Sequence, residues 1–169
     1  LFQPLSILDL EVDHQTSRDI QRVKEAQRAV IYESIPLDMV KTSMAFFLSE
    51  FLTKVLRDVE PNKNLFEFIK YAALILENAD QSIANFHMVF MLRMSHFLGF
   101  YPNLEDYKPG SIFDMLNGEF VSSQPLHRHY VAGVENEALS RLARISFTNM
   151  HKFQFSRQDR INIINRILE

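Results

Sequence analysis

The spacing of apolar residues changes once near the start of the chain. Residues 8–13 alternate apolar and polar, a pattern typical of a strand with one buried face. Residues 20–27 are a weaker strand candidate, and the polar residues 14–19 join the two. Because a two-stranded hairpin alone is marginal in water, we expect both strands to belong to a small barrel whose other strands lie upstream of Leu1.

Helical spacing begins after a connector at residues 29–38. Apolar residues then recur every three or four positions, as on the buried stripe of an amphipathic helix. This stripe consists of Val40, Met44, Phe47, Phe51, Val55 and Val59. The Glu60-Pro61-Asn62 segment ends the first helix, and Asn62 or Asn64 can cap a second. The buried face predicted for the second helix consists of Leu65, Phe66, Ile69, Ala72, Ala73 and Leu76.

The second half of the chain predicts three more helices around an irregular segment. Residues 83–100 are apolar on nearly all sides, as expected of the central helix of a bundle. Residues 101–133 are irregular, with short turns or strands at 112–116 and 119–121. A further helix is predicted at 135–150, and Ser156 caps a last one. Its inward residues would be Ile161, Ile164, Ile167 and Leu168, with Arg157, Arg160 and Arg166 in solvent. The predicted fold class is mainly α, a helical bundle domain preceded by the last strands of a β-barrel.

Composition supports helices and excludes several kinds of site. The 169 residues are 47% apolar and include 15 Phe but only 4 Gly and 6 Pro, which argues against a β-sandwich with many tight turns. The absence of cysteine excludes disulfides, thiolate zinc sites and cysteine nucleophiles, and it fits a reducing cytoplasm. No apolar run approaches the roughly 20 residues of a membrane span, and no signal peptide opens the chain. Since the sequence begins at Leu1 rather than Met, we expect this chain to be a piece of a longer cytoplasmic protein.

Positive charge is concentrated at the end of the chain. Residues 141–169 carry six Lys or Arg against two Asp or Glu, whereas the whole chain has a net charge of −3. An anionic partner is expected at this basic end, although cations in a helical tail also serve solubility alone. Arginine forks suit phosphate, and the interleaved Phe153 and Phe155 could stack on bases or join two helices as core residues. The candidate DNA-binding residues are Arg141, Arg144, Lys152, Arg157 and Arg160.

Catalytic patterns are absent from the sequence. It contains no Gly-rich phosphate loop and no Gly-x-Ser-x-Gly elbow. His127 and His129 would point to one face of a strand and could bind a metal with Asp114 or Glu119; the alternative is two surface histidines in a polar loop. His87 and His96 are interpreted as core or boundary residues. We therefore expect no enzyme, no cofactor and no small-molecule substrate, and a metal-dependent enzyme stays a third hypothesis.

One segment resembles a known family. Residues 82–107 run from an apolar helix into Leu98-Gly99-Phe100, typical of a glycine C-cap followed by a proline stop. This segment resembles the central helical domain of RecO, the bacterial recombination mediator, in its Bacteroidetes-like form. Further support comes from residues 1–5, 22–25 and 51–52, so the resemblance covers essentially the whole chain. It implies that residues 1–28 are the C-terminal strands of a truncated OB-fold domain and that residues 29–169 are the helical RecO C-terminal domain.

The sequence departs from the zinc-bearing members of that family. Those members carry their first zinc cysteines in the loop after the Leu-Gly-aromatic signature, and residues 101–110 contain none. A thiolate zinc therefore cannot form. We expect packing of Leu104, Tyr107 and Phe113 to hold this loop instead.

The resemblance implies a DNA repair and recombination mediator rather than an enzyme. Such proteins bind single- and double-stranded DNA, anneal strands, and act with RecR to load RecA on DNA coated by single-strand-binding protein. Their helical domain also receives the acidic, Phe-ended tail of that protein, which requires an apolar pocket with a cation at its rim. The candidate rim residues are Arg93, Lys41 and Lys54, although Arg93 could instead pair internally with a carboxylate. The expected location is the bacterial cytoplasm, associated with the nucleoid and not with a membrane. The alternative is a helical protein-interaction module without direct DNA binding.

Overall fold

The structure is a computed structural model that describes residues 2–57, 60–99, 103, 106–142 and 144–168; the side chains of residues 134, 135 and 166–168 also fall outside the description. The chain forms two compact units, Leu1–Ala79 and Asp80–Glu169. Within the described residues, no helix is both long and apolar enough to cross a membrane.

The first unit opens with the predicted hairpin. Strands β1 (Leu8–Asp13) and β2 (Arg22–Arg28) pair antiparallel, with Leu8 opposite Arg28 and an irregularity between Glu11 and Val12. The cross-strand pair Val12–Val23 and the nearby Leu10 are 45%, 49% and 50% exposed. An apolar face thus remains open, and among the described residues of this unit there is no third strand to cover it.

Two helices follow, each started by the side chain of a capping residue. Helix α1 (Met39–Val55) begins at Asp38, whose carboxylate accepts hydrogen bonds from the backbone of Val40 and Lys41 at 2.8 and 3.0 Å. Helix α2 (Lys63–Asn78) begins at Asn62, as predicted, and the Asn62 side chain accepts from Leu65 N at 3.1 Å.

The buried stripe of α1 differs from the predicted one. Its buried residues are Lys41, Ala45, Leu48 and Phe51, whereas Val40 is exposed. On α2 the buried residues are Leu65, Ala72, Ala73 and Leu76, and Phe66 is exposed. The spacing identified the helices but placed Val40 and Phe66 on the wrong face, because apolar residues flank the buried stripe on both sides. Val59 lies outside the described residues.

A carboxylate ties the connector to the end of α2. Glu77 accepts hydrogen bonds from three consecutive backbone amides, Glu33, Ser34 and Ile35, at 2.7, 2.7 and 2.8 Å. Burial alone would raise the pKa of Glu77, but these donors and the nearby Lys41 charge hold it below its usual value. Tyr32 donates to Leu5 O at 2.7 Å, and burial together with Glu77 raises the pKa of its phenol to about 12.

The second unit is built around α3 (Phe86–Phe97). This helix begins three residues later than predicted because Phe86 N donates to Ile83 O in a preceding turn. Seven of its 12 residues are buried, as expected for a central helix. Gly99 follows it with φ at 78°, the left-handed conformation of the predicted glycine C-cap. Phe100 and the proline stop at Pro102 lie outside the described residues.

A small sheet occupies the irregular segment. Strands β3 (Ile112–Asp114), β4 (Glu119–Val121) and β5 (Tyr130–Val131) pair antiparallel in the order β4-β3-β5. The β3–β4 turn uses Gly118 at a φ of 69°, whose N–H donates to Asp114 O at 2.8 Å. The Phe120 ring contacts the rings of Tyr107 and Phe113, with centroids 5.3 and 5.0 Å away. Two of the three residues expected to hold this region therefore pack together, and Leu104 lies outside the described residues.

The helix predicted at 135–150 is shorter than expected. Helix α4 (Val134–Leu142) ends eight residues early, and a 3₁₀ turn at Met150–Lys152 precedes α5 (Arg157–Leu168). After α4 the Asn149 side chain accepts from Ser146 N and donates to Arg144 O, so it replaces helical hydrogen bonds with local ones. Ser156 caps α5 as predicted, because it exchanges reciprocal hydrogen bonds with Asp159.

Candidate nucleic-acid interface

Side chains from three helices hold the segment between α4 and α5, which we name the basic connector (residues 144–156). Asn85, before α3, donates to Met150 O at 2.9 Å and to Phe153 O at 2.8 Å. Arg141 of α4 donates to Gln154 O at 3.0 Å, and Arg160 of α5 donates to Phe155 O at 2.6 Å. Arg93 of α3 makes a longer contact of 3.4 Å with Ile145 O. Non-helical backbone is thereby satisfied and fixed in place.

Two of the predicted DNA-binding arginines belong to this support. The Arg141 guanidinium lies over the Phe155 ring, 4.7 Å from its centroid, and Phe155 is only 7% exposed. Asp159 lies near both Arg141 and Arg160. Hydrogen bonds from the Ser156 side chain and backbone lower the pKa of Asp159, and the charges of the two arginines lower it further. Their positive charge is therefore partly offset inside the protein.

The other three predicted cations face solvent. The side chains of Arg144, Lys152 and Arg157 are exposed, and among the described residues none makes a side-chain hydrogen bond or ion pair. Arg144 and Lys152 lie on the basic connector, and Arg157 is the first residue of α5. These three side chains are free to meet an anion without breaking a described internal contact.

The aromatic residues of this region serve packing. Phe155 is buried beneath Arg141, and Phe147 packs its ring against Phe86 with centroids 4.9 Å apart. Phe153 is half-buried, and its carbonyl is held by Asn85. Phe155 is thus the core residue of the alternative interpretation and is not positioned to stack on a nucleic-acid base.

The three candidate rim cations have different surroundings. Lys41 is 5% exposed and donates to Ser34 Oγ at 2.7 Å and to Glu77 O at 2.8 Å. Lys54 is exposed and pairs with Glu50 at 2.8 Å. Arg93, on α3, is half-buried and reaches towards Ile145 O. The structure therefore gives each cation a described partner and assembles no rim from Lys41 and Lys54.

Two adjoining apolar depressions lie in the first unit. The deeper one has a volume of about 200 Å³ and is lined by residues that include Pro4, Ile35 and Phe46. The wider one has a volume of about 710 Å³, shares Pro4 and Phe46, and also reaches Glu50, the partner of Lys54.

The two candidate metal ligands, His127 and His129, lie near each other, and His127 contacts a carboxylate. His127 Nε2 lies 3.3 Å from the Asp114 carboxylate, and the rings of His127 and His129 are 6.2 Å apart. Burial on its own would raise the pKa of Asp114, but hydrogen bonds from Asn117 and Leu116 and the nearby His127 hold it below its usual value. Across the described residues, no group of three or more potential metal ligands converges. The arrangement is a local pair that fastens the 122–129 loop to β3.

His87 is a boundary residue, as interpreted from the sequence. Burial lowers the pKa of its imidazole to about 4, and the charge of Arg160 adds to this effect. The ring is therefore neutral at pH 7 and adds no charge to the surface around the basic connector.

Comparison with known proteins identifies the family. The model of the family described as Recombination protein O C terminal matches residues 36–168. The DNA repair protein RecO of Azobacteroides pseudotrichonymphae is 42% identical over 168 residues, which cover 99% of this chain and 70% of that protein. The RecO proteins of Phocaeicola vulgatus and Bacteroides fragilis are 42% and 41% identical over 95% and 100% of this chain, and the alignments cover 66% and 70% of their own lengths. No solved structure matches. The chain belongs to the RecO family of DNA repair proteins.

Proposed function

We propose that this chain is part of a recombination mediator that binds DNA phosphates through Arg144, Lys152 and Arg157. The observation that carries the proposal is that these cations are exposed, lack a described internal partner and lie on or next to a connector fixed by three helices. In this role the protein anneals strands and acts with RecR to load RecA on DNA coated by single-strand-binding protein, in the bacterial cytoplasm and at the nucleoid. No covalent chemistry is required, and the proposed activity is DNA binding and strand annealing.

The basic connector is proposed to bind single- and double-stranded DNA alike. Phosphate contacts do not depend on sequence or on exposed bases. Single-strand-specific surfaces add aromatic stacking platforms, whereas Phe155 is buried and Phe147 packs on Phe86. Binding should therefore weaken steeply with salt and show little preference among sequences.

The hairpin is proposed to belong to an OB-type barrel, with residues 1–28 as its last strands and residues 29–169 as the helical domain. Support comes from the open apolar face formed by Leu10, Val12 and Val23, which a third strand or a second layer would cover. Such a barrel would provide a second DNA-binding surface.

The acidic, Phe-ended tail of single-strand-binding protein is proposed to dock on the helical domain. The candidate for its carboxylates is Lys54, whose exposed ammonium pairs with Glu50, and Glu50 lines an apolar depression that also contains Phe46. Arg93 and Lys41 stay predictions for this role. The Lys41 ammonium would first have to leave Ser34 and Glu77.

The test is fluorescence anisotropy with a labelled oligonucleotide, single-stranded or in a duplex, over a series of salt concentrations. The test variant is Lys152→Gln/Arg157→Gln. Its matched control is Arg57→Gln/Lys63→Gln, which removes one lysine and one arginine from exposed positions of the first unit. Each lost phosphate contact should flatten the plot of log K against log salt by about 0.9 for duplex and about 0.7 for single strands.

Weaker binding and a flatter salt plot in the test variant alone would support the proposed interface. Equal effects in both variants would mean that only net charge matters. If the parent chain shows no salt-dependent binding, the alternative of a protein-interaction module without DNA contact is favoured.

A further inference from the structure

We propose that Arg141 and Arg160 do not contact DNA but position the cations that do. This inference rests on the proposed function, because it assigns separate roles within the same surface. All five basic residues look equivalent in the sequence, yet in the structure three have no described side-chain partner and two donate to backbone carbonyls.

The two arginines belong to the helices on either side of the connector and donate to the carbonyls of two adjacent residues. Arg141 comes from the end of α4 and bonds Gln154 O, whereas Arg160 comes from the first turns of α5 and bonds Phe155 O. The Arg141 guanidinium also lies over the Phe155 ring, with its carbon 4.7 Å from the ring centroid. A bidentate contact with phosphate would compete with these bonds, and the Asp159 carboxylate already partly balances both charges.

The carbonyls they hold stand between two of the exposed cations. Lys152 lies two residues before Gln154, and Arg157 lies two residues after Phe155. A shift of the connector by one extended residue would move a cation by about 3.3 Å, more than the length of about 2.7–3.2 Å of a hydrogen bond to a phosphate oxygen. Loss of either arginine–carbonyl contact would therefore displace Lys152 and Arg157 far enough to break their contacts with phosphate.

The experiment compares Arg141→Gln and Arg160→Gln with Arg157→Gln by duplex anisotropy over a salt series, with thermal unfolding measured in parallel. For Arg157→Gln we expect the salt slope to fall by about 0.9. For Arg141→Gln or Arg160→Gln we expect weaker binding at fixed salt and a slope that falls by up to about 1.8, because both displaced cations then lose their phosphates. A double-mutant cycle completes the test. In a Lys152→Gln/Arg157→Gln background, Arg141→Gln should weaken DNA binding far less than it does in the parent chain, because the cations that it would displace are already absent.

Three outcomes would overturn the inference. A further slope reduction of about 0.9 when Arg141→Gln is added to the Lys152→Gln/Arg157→Gln background would show that Arg141 itself contacts phosphate. A lower melting temperature with unchanged affinity would reduce its role to stability alone. Additive effects in the cycle would mean that the residues act independently. Absence of salt-dependent binding by the parent chain is a different result, because it refutes the proposed function itself. If Arg160→Gln does not fold, Arg141→Gln decides the question, since its side chain lies at the surface.

Discussion

Removal of the His87 imidazole should make the protein less sensitive to acid. In the folded chain burial and Arg160 lower the pKa of His87 from 6.5 to about 4. The unfolded chain takes up this proton near the ordinary value, so between these two pH values the unfolded state binds more protons. The free energy of unfolding therefore falls as the pH drops from about 6.5 to about 4. At about 1.4 kcal/mol per pKa unit, the full contribution is ~3 kcal/mol.

The measurement is urea unfolding followed by circular dichroism at several pH values between about 7 and about 4, for the parent and for His87→Gln. Carboxyl groups, whose ordinary pKa is about 4, begin to titrate at the lower end of this range, but they are common to both proteins and cancel in the difference. The free energy of unfolding of His87→Gln, relative to the parent, should rise by up to ~3 kcal/mol on acidification. His151→Gln is the control, because His151 lies in the same unit and is exposed.

Parallel loss of stability in the parent and in His87→Gln would refute this reasoning, because it would mean that the imidazole titrates alike in the folded and unfolded states. A pH-dependent difference of the same size in His151→Gln would refute it as well, since the side chain of an exposed residue meets similar solvent in the folded and unfolded states.

Three further substitutions test contacts that lie within one or the other of the two units. Asn85→Ala removes both donors to Met150 O and Phe153 O and should lower the free energy of urea unfolding by about 2 kcal/mol. Amide exchange in the basic connector should become faster, and unchanged exchange would contradict a role of Asn85 in holding the connector. Glu77→Gln should cost about 1–3 kcal/mol, because an amide group then faces the connector N–H donors, whereas Glu67→Gln on the exposed side of α2 should cost almost nothing. Ser156→Ala should lower the free energy of unfolding by about 1 kcal/mol in thermal melts, and no change would mean that the α5 cap is dispensable.

Helices could be predicted from the sequence wherever local signals agreed. A capping residue directly precedes helical apolar spacing at Asn62 and at Ser156, and a helix follows each of them. The prediction was wrong at 144–150, where apolar spacing continues but the Asn149 side chain forms local hydrogen bonds to Arg144 and Ser146. Periodicity measures burial, and it contains no information about such competition for backbone groups.

The partners of the basic residues could not be predicted in the same way. Arg141 and Arg160 bind backbone carbonyls, and Lys41 binds a serine hydroxyl and a carbonyl. Every residue has a carbonyl, so no residue type in the sequence marks these acceptors. Asn85 was missed for the same reason: an asparagine before a helix suggests a cap, yet its amide bonds carbonyls 65 and 68 residues away.

Because Arg141 and Arg160 bind carbonyls, the salt dependence expected of the proposed DNA surface is smaller than the count of basic residues suggests. If all five basic residues met duplex phosphates, they would contribute about 4.5 to the salt slope, at about 0.9 each. With Arg141 and Arg160 retained by carbonyls and Asp159, only three cations remain, and the contribution falls to about 2.7. The smaller number implies weaker binding that is less easily displaced by salt. It also implies that the rigidity of the basic connector, and not the count of arginines at the end of the chain, determines how well this surface fits a phosphate backbone.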